Sequence, residues 1–131
     1  MKNKMKGDIA LVLPNGGLAG AVSAGFVYEI CKTIGMEHFS IVYCYSVGVY
    51  VAPFGIAKQS ETIEEVWRNY VDGSKLVNPF NLFTFDVKKA LKIEYLKNLF
   101  ERGSLSLNRK RFFSSKVKVV YVLMEHDTGK V

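Results

Sequence analysis

Two short apolar runs, each followed at once by a turn and a helix-forming segment, constrain the fold most strongly. The first run is Ile9 to Leu13, which ends at Pro14, and the second is Phe39 to Tyr45. Continuous apolar runs of this length are typical of buried parallel strands. A third run, Val117 to Met124, is rich in β-branched residues. Strands that alternate with helices predict an α/β fold, with a mostly parallel sheet and helices on both faces.

Helical signals lie between these runs. Ala21 to Thr33 predicts a helix, and Val47 to Lys58 predicts a second one that is bent or ended around Pro53 and Gly55. Ser60 to Tyr70 has the clearest helical spacing of apolar residues, with a capping box predicted from Thr62 and Glu65. A further helix is predicted after Asp86, with an apolar stripe that includes Leu96, Leu99 and Phe100, whereas Asp72-Gly73-Ser74 is typical of a turn.

The composition fits one globular domain. The chain has 131 residues, 49% of them hydrophobic, which is enough for a real core. Cys31 and Cys44 lie in apolar contexts, which favours free thiols in a reducing compartment over a disulfide or a metal site. Asp8 precedes the N-terminal apolar run and Pro14 ends it, which argues against a cleaved signal peptide. We therefore expect a cytoplasmic protein. Its net charge of +6 favours anionic partners, so peripheral attachment to membranes is a secondary expectation beside the simpler interpretation of a solvated basic surface.

The junction after the first run is rich in glycine. It reads Asn15-Gly16-Gly17-Leu18-Ala19-Gly20 and leads into the first predicted helix. Glycines let the backbone approach a ligand and leave several N–H groups free ahead of a helix N-terminus, where they bind phosphate or an oxyanion. Such a turn is a weak signal by itself.

The junction after the second run presents a serine. It reads Cys44-Tyr45-Ser46-Val47-Gly48, so Ser46 lies between a strand and a helix. A serine on such a sharp turn is exposed as a nucleophile, and the N–H of the next residue helps to bind an oxyanion. The turn needs small residues two positions before and after the serine. For this pentapeptide alone, a serine that only caps a helix is the simpler interpretation.

Taken together, the two junctions resemble the patatin-like phospholipase family, which carries a G-G-G-x-R-G loop and a G-x-S-x-G turn. The resemblance covers almost the whole chain and identifies residues 1–131 as the N-terminal part of a single patatin-like domain. It implies a lipid acyl hydrolase active in lipid degradation, with a lipid or acyl-ester substrate and neither cofactor nor metal. The implied site comprises the nucleophile Ser46, the oxyanion-hole residues Gly16, Gly17 and Val47, and the motif residues Asn15, Ala19, Gly20, Cys44 and Gly48.

The chain departs from the family pattern at several positions. Asn15 replaces the first loop glycine, Ala19 replaces the loop arginine, and Cys44 replaces the glycine before the serine. The family's general base is an aspartate in a D-G-[GA] motif downstream of the segment that ends at Val131, so the resemblance implies an incomplete or inactive site in this chain. Among other candidates, Asp72 and Asp127 are better explained by turns. His126 is a weak candidate base, and His38 is expected at the surface.

Three alternatives remain open. A catalytically defunct relative that binds lipid or protein is favoured by the departures at Asn15, Ala19 and Cys44. A nucleotide-binding domain is weaker, because the end of the second strand lacks the acidic residue that holds a ribose. Nucleic-acid binding through Arg109 to Phe113 is weaker still and is not expected, because the same residues suit an anionic membrane or a solvated surface.

Overall fold

The computed structural model describes residues 9–14, 20–71, 73–78, 92–101 and 103–123. The strands and α-helices follow one another in the order β1 Ala10–Leu13, α1 Gly20–Thr33, β2 Ile41–Tyr45, α2 Gly48–Ile56, α3 Ser60–Asn69, α4 Gly73–Leu76, α5 Ile93–Glu101, α6 Arg109–Phe113 and β3 Lys118–Val122. Short 3-10 helices form at Met36–His38 and Gly103–Leu105. The predicted α/β class is confirmed for these residues. Within them, no helix is long and apolar enough to cross a membrane.

The three strands form one parallel sheet in the order β1-β2-β3. Leu13 lies opposite Cys44, and Cys44 lies opposite Tyr121, so the carboxyl ends of the strands are level with one another. Pro14 and Ser46 directly follow β1 and β2. Both junctions singled out in the sequence therefore begin at the same edge of the sheet, where α/β proteins bind their ligands.

Only one face of this sheet is covered by the described helices. Leu11, Leu13, Val42 and Cys44 project from that face and are at most 7% exposed, whereas Val12, on the other face, is 55% exposed. This differs from the predicted arrangement of helices on both faces. The strand order explains the difference: crossovers between parallel strands are right-handed, so two crossovers that advance in the same direction place their helices on the same side.

The helical layer packs around α2. Most of α2 is buried, because it lies against the sheet on one side and against α1 and α3 on the other. Ala24, Val27 and Ile30 form the buried stripe of α1, and Ile63 and Val66 form that of α3. These stripes agree with the helical spacing in the sequence.

Aromatic rings connect α5 to α2. The Phe100 ring stacks on Tyr50 with a centroid distance of 5.3 Å, and it tilts against Phe54 at 5.2 Å. Leu96 and Leu99 pack against the same core. The apolar stripe predicted for this helix is thereby confirmed, while its predicted cap, Asp86, lies outside the described residues.

The second helix runs through Pro53 and ends at Ile56, next to Gly55, within the region where the sequence predicts its end. One predicted local feature is wrong. The capping box of Thr62 and Glu65 does not form, because α3 begins earlier, with Gln59 in the N-cap position. The Gln59 side chain accepts a hydrogen bond from the Asn108 N–H at 2.7 Å and donates to the Ser106 carbonyl. These contacts hold the chain at the start of α3.

Two short helices are not predicted from the sequence. Gly73–Leu76 forms one helical turn in the segment expected to be a turn. The basic segment Arg109–Phe113 forms α6, whose N-terminus is capped by Asn108: the Asn108 Oδ1 accepts from the Arg111 N–H at 3.0 Å. Helices this short span little more than one turn, so the sequence shows no helical periodicity there.

Gly55 permits the close approach of α1 and α2. A Cβ atom at this position would lie 2.7 Å from Val27 Cγ1 and 3.2 Å from Cys31 Sγ, whereas a Cβ at Gly25 would meet no atom within 4 Å. We therefore expect Gly55→Ala to destabilise the protein by about 1–3 kcal/mol through overpacking. The matched variant Gly25→Ala should stabilise it by about 0.5–1 kcal/mol, because alanine favours helix.

The comparison is made by urea unfolding of the two variants beside the parent chain. Equal effects of the two substitutions would contradict the packing of α1 against α2 described above.

Candidate active site

Ser46 occupies the turn between β2 and α2. Its side chain is exposed, and its backbone has a φ of 46°, in the left-handed region that non-glycine residues rarely adopt. The helix starts immediately afterwards, because the Ser46 carbonyl accepts from the Val49 N–H at 3.1 Å and the Val47 carbonyl accepts from the Tyr50 N–H at 2.9 Å. Ser46 therefore lies on the tight strand-to-helix turn that the sequence predicts, and its conformation costs on the order of 1–3 kcal/mol.

A positive φ is not by itself a sign of function. Lys58 has a φ of 58°, and it directly follows the C-cap of α2, a position where the left-handed conformation commonly ends a helix. Ser46 differs because it joins the carboxyl end of a strand to the N-terminus of a helix. That combination presents a side chain at the ligand-binding edge of the sheet.

Gly48 explains how the turn can be so tight. A Cβ atom on Gly48 would lie 2.9 Å from the Leu13 Cβ and 3.2 Å from the Leu13 carbonyl oxygen. Only glycine allows the first turn of α2 to pack this closely against the end of β1. The small residue that the turn requires two positions after Ser46 is therefore needed for contact with the neighbouring strand.

The two ends of the glycine-rich loop flank this turn. On one side, Leu13 pairs with Cys44. On the other, Gly20 begins α1 so close to the turn that a Cβ there would lie 2.5 Å from Val47 Cγ2 and 2.6 Å from the Trp67 ring. The loop therefore starts and ends beside Ser46. Asn15, Gly16, Gly17 and Ala19 lie outside the described residues, and so does the predicted contact between Ser46 and Gly16–Gly17.

Trp67 has a role that the sequence does not reveal. Its position in the helical pattern of α3 predicts core packing, and the ring does pack against the core. It also closes the space beside Gly20, so it supports the point at which the loop enters α1. Helical spacing shows that such a residue faces inward, but it does not show which backbone segment it will meet.

The helix N-termini make this edge of the sheet favourable for anions. α1 and α2 both begin beside Ser46, and neither has an acidic residue in its first turn. Helix N-termini carry a partial positive charge and free N–H groups. The arrangement can thus stabilise negative charge that develops on a substrate oxygen next to Ser46, with the Val47 N–H among the donors that the sequence predicts.

Cys44 is a core residue in this structure. It is fully buried, and burial raises the pKa of its thiol to about 11. Burial, with smaller effects from Glu37 and Glu61, also raises the pKa of Cys31 to about 11. A thiol with a raised pKa is a poor nucleophile. Of the two side chains, Ser46 is exposed and Cys44 belongs to the core.

No general base for Ser46 is found among the described residues. Ser46 Oγ has no hydrogen-bond partner in this part of the chain. His38 is exposed and precedes β2, at the opposite edge of the sheet. Asp72, His126 and Asp127 lie outside the described residues. The described part of the site therefore has an exposed serine beside two helix N-termini and no proton acceptor for it.

Comparison with known proteins does not assign the chain to a family. No protein-family model matches the chain, and neither the curated proteins nor the solved structures contain a significant match. The class that the structure defines is accordingly an α/β protein with a three-stranded parallel sheet in its described part.

Proposed function

We propose that the chain is the N-terminal part of a patatin-like lipid acyl hydrolase domain, with Ser46 as its nucleophile. The observation that supports this most is the left-handed Ser46 at the junction of β2 and α2, beside both ends of a glycine-rich loop. In the proposed reaction, Ser46 Oγ attacks the carbonyl carbon of a lipid ester. The N–H groups of Gly16, Gly17 and Val47 hold the oxyanion, and an aspartate outside the described residues accepts the serine proton.

The same proposal accounts for the face of the sheet that the described helices leave uncovered. Parallel sheets are normally covered on both faces, and Val12 is 55% exposed here. In a complete patatin-like domain, further elements would cover this face and bring helices to both sides of the sheet. A cytoplasmic enzyme of lipid degradation that works at the membrane periphery is consistent with this domain.

A non-catalytic relative that binds lipid or protein is the second candidate. It is favoured by Asn15, Ala19 and Cys44, which replace family residues, and by the absence of a base for Ser46 among the described residues. It has the same fold as the hydrolase and differs only in chemistry. Nucleotide binding has less support, because β2 ends in Tyr45 and Ser46 without the acidic residue that binds a ribose.

A fluorophosphonate probe distinguishes the two main candidates. It labels only a serine that is activated as a nucleophile. In a protein that includes a downstream aspartate, we expect labelling that Ser46→Ala abolishes, while a matched Ser114→Ala variant on the exposed surface is labelled normally. A folded protein with that aspartate and no labelling would support the non-catalytic relative.

A further inference from the structure

The basic charge of the protein is concentrated in one segment. Residues 102–124 contain six basic side chains and no acidic one, and the twelve other basic residues of the chain equal its twelve acidic residues in number. The net charge of +6 can thus be assigned to this segment. Within the described residues, five of these basic side chains are exposed: Arg109, Lys110, Arg111, Lys116 and Lys118.

These five side chains are not neutralised by the residues around them. Ion pairs in the described part of the chain join Lys32 to Glu61 and Arg68 to Glu64, and none involves the five. Glu37, an exposed acidic residue near the same edge of the sheet, forms no ion pair with them. The five side chains therefore form a basic surface in water, which is available to an anionic partner.

An exposed apolar side chain lies between these charged residues in the chain. Phe113, the last residue of α6, is 78% exposed, while its neighbour Phe112 packs against the core with its ring 5.2 Å from that of Phe113. Phe112 thus anchors the short helix and leaves the Phe113 ring directed outward. An exposed aromatic ring surrounded by lysine and arginine is the composition of peptides that bind at lipid headgroups.

The basic surface lies away from the candidate active site. Lys118 begins β3, and its N–H donates to the Ser40 carbonyl just before β2, whereas Ser46 follows the opposite end of β2. Five strand residues separate the two edges by roughly 13 Å. The surface is therefore distinct from the substrate edge, and it does not depend on the function proposed for Ser46.

We propose that α6 together with Lys116 and Lys118 docks onto an anionic lipid surface, with the Phe113 ring inserted among the headgroups. Charge complementarity supplies the attraction, at a few-fold in affinity for each basic side chain near the surface. Nucleic acid is the less suitable partner, because single strands bind to several stacked aromatic rings, and Phe113 is the one exposed aromatic residue in the described segment 109–118.

The test is co-sedimentation of the 131-residue chain with phosphatidylcholine vesicles, prepared with and without phosphatidylserine. Binding is expected only where phosphatidylserine is present. Arg111→Gln should weaken it about fivefold, and the triple variant Arg109→Gln, Lys110→Gln, Arg111→Gln should abolish it. The matched variant Lys97→Gln removes an exposed charge from α5 and should bind like the parent.

Phe113→Ser tests the apolar contact separately. Because the ring is exposed, the circular dichroism spectrum should be unchanged, and binding to phosphatidylserine vesicles should fall at least about fivefold at the salt concentration used for the parent. Vesicle binding that the triple variant retains would overturn the proposal. The proposal would also be overturned if the chain does not bind the vesicles but does bind a single-stranded oligonucleotide. Neither outcome bears on labelling of Ser46, so the two proposals are tested independently.

Discussion

The 131-residue chain is expected to hydrolyse neither short-chain nor long-chain esters faster than its Ser46→Ala variant. A serine hydroxyl is a weak nucleophile until a neighbouring base removes its proton. The described residues place no such base beside Ser46, and proton transfer of this kind contributes roughly 10²–10⁴ in rate. Helix N-termini beside Ser46 favour a negative charge, but they do not take up a proton, and the described residues offer no acceptor for it.

The measurement compares ester turnover and fluorophosphonate labelling of the chain and of Ser46→Ala. Turnover that disappears in the variant would contradict the expectation and would show that the chain supplies its own base. His126 and Asp72 are then the residues to test, by His126→Gln and Asp72→Asn. Loss of turnover in only one of these variants would identify the base.

Giving the glycine-rich loop the patatin-like pattern that it resembles should increase activity wherever a base is present. Asn15 and Ala19 replace a glycine and an arginine of the resembling loop, and loss of one oxyanion contact typically costs on the order of 10²–10³ in rate. In a protein that includes the downstream aspartate, Asn15→Gly combined with Ala19→Arg should therefore raise kcat for ester hydrolysis by up to roughly that factor.

A control separates loop geometry from added charge. Ala21→Arg places the same cation on the exposed side of α1, one turn or less from the loop, without changing the loop itself. It should leave kcat close to that of the parent. An equal gain from Ala21→Arg would show that any nearby positive charge suffices, and no gain from the restored loop, with the fold intact, would show that these replacements are neutral.

The strands and the main helices could be predicted because their signals are local. The apolar runs that become β1, β2 and β3 and the helical stripes of α1, α3 and α5 depend only on residue type and spacing. The position of Ser46 follows from the same pattern, since it is the first residue after the second strand. No long-range contact is needed to predict that a strand, a turn and a helix meet there.

What the sequence does not show depends on contacts between distant segments. α2 runs through Pro53 although proline disfavours helix interiors, and its buried side chains pack on the sheet, α1 and α5. Gln59 takes the N-cap position of α3 beside hydrogen-bond partners more than forty residues away. The single covered face likewise follows from strand order, which periodicity does not reveal.

The most direct test of the candidate site is the thiol pKa of a Ser46→Cys variant. A thiolate responds to the local electrostatic field without needing a general base, so this test does not depend on the missing aspartate. The native Cys31 and Cys44, whose pKa values are raised to about 11, stay protonated at neutral pH, and Cys44 is buried while Cys31 is partly buried. Alkylation at neutral pH therefore reports the thiol at position 46. The control is Ser114→Cys, at the C-terminal end of the exposed α6.

If Ser46 lies at an edge that stabilises anions, the pKa of the new thiol should fall to about 7.5 or lower, against about 8.5 for a free cysteine. The rate of iodoacetamide alkylation should then rise with pH through a midpoint below that of Ser114→Cys. A midpoint for Ser46→Cys equal to or above that of Ser114→Cys, in a folded protein, would contradict the account of Ser46 as a nucleophile held beside an oxyanion-binding loop.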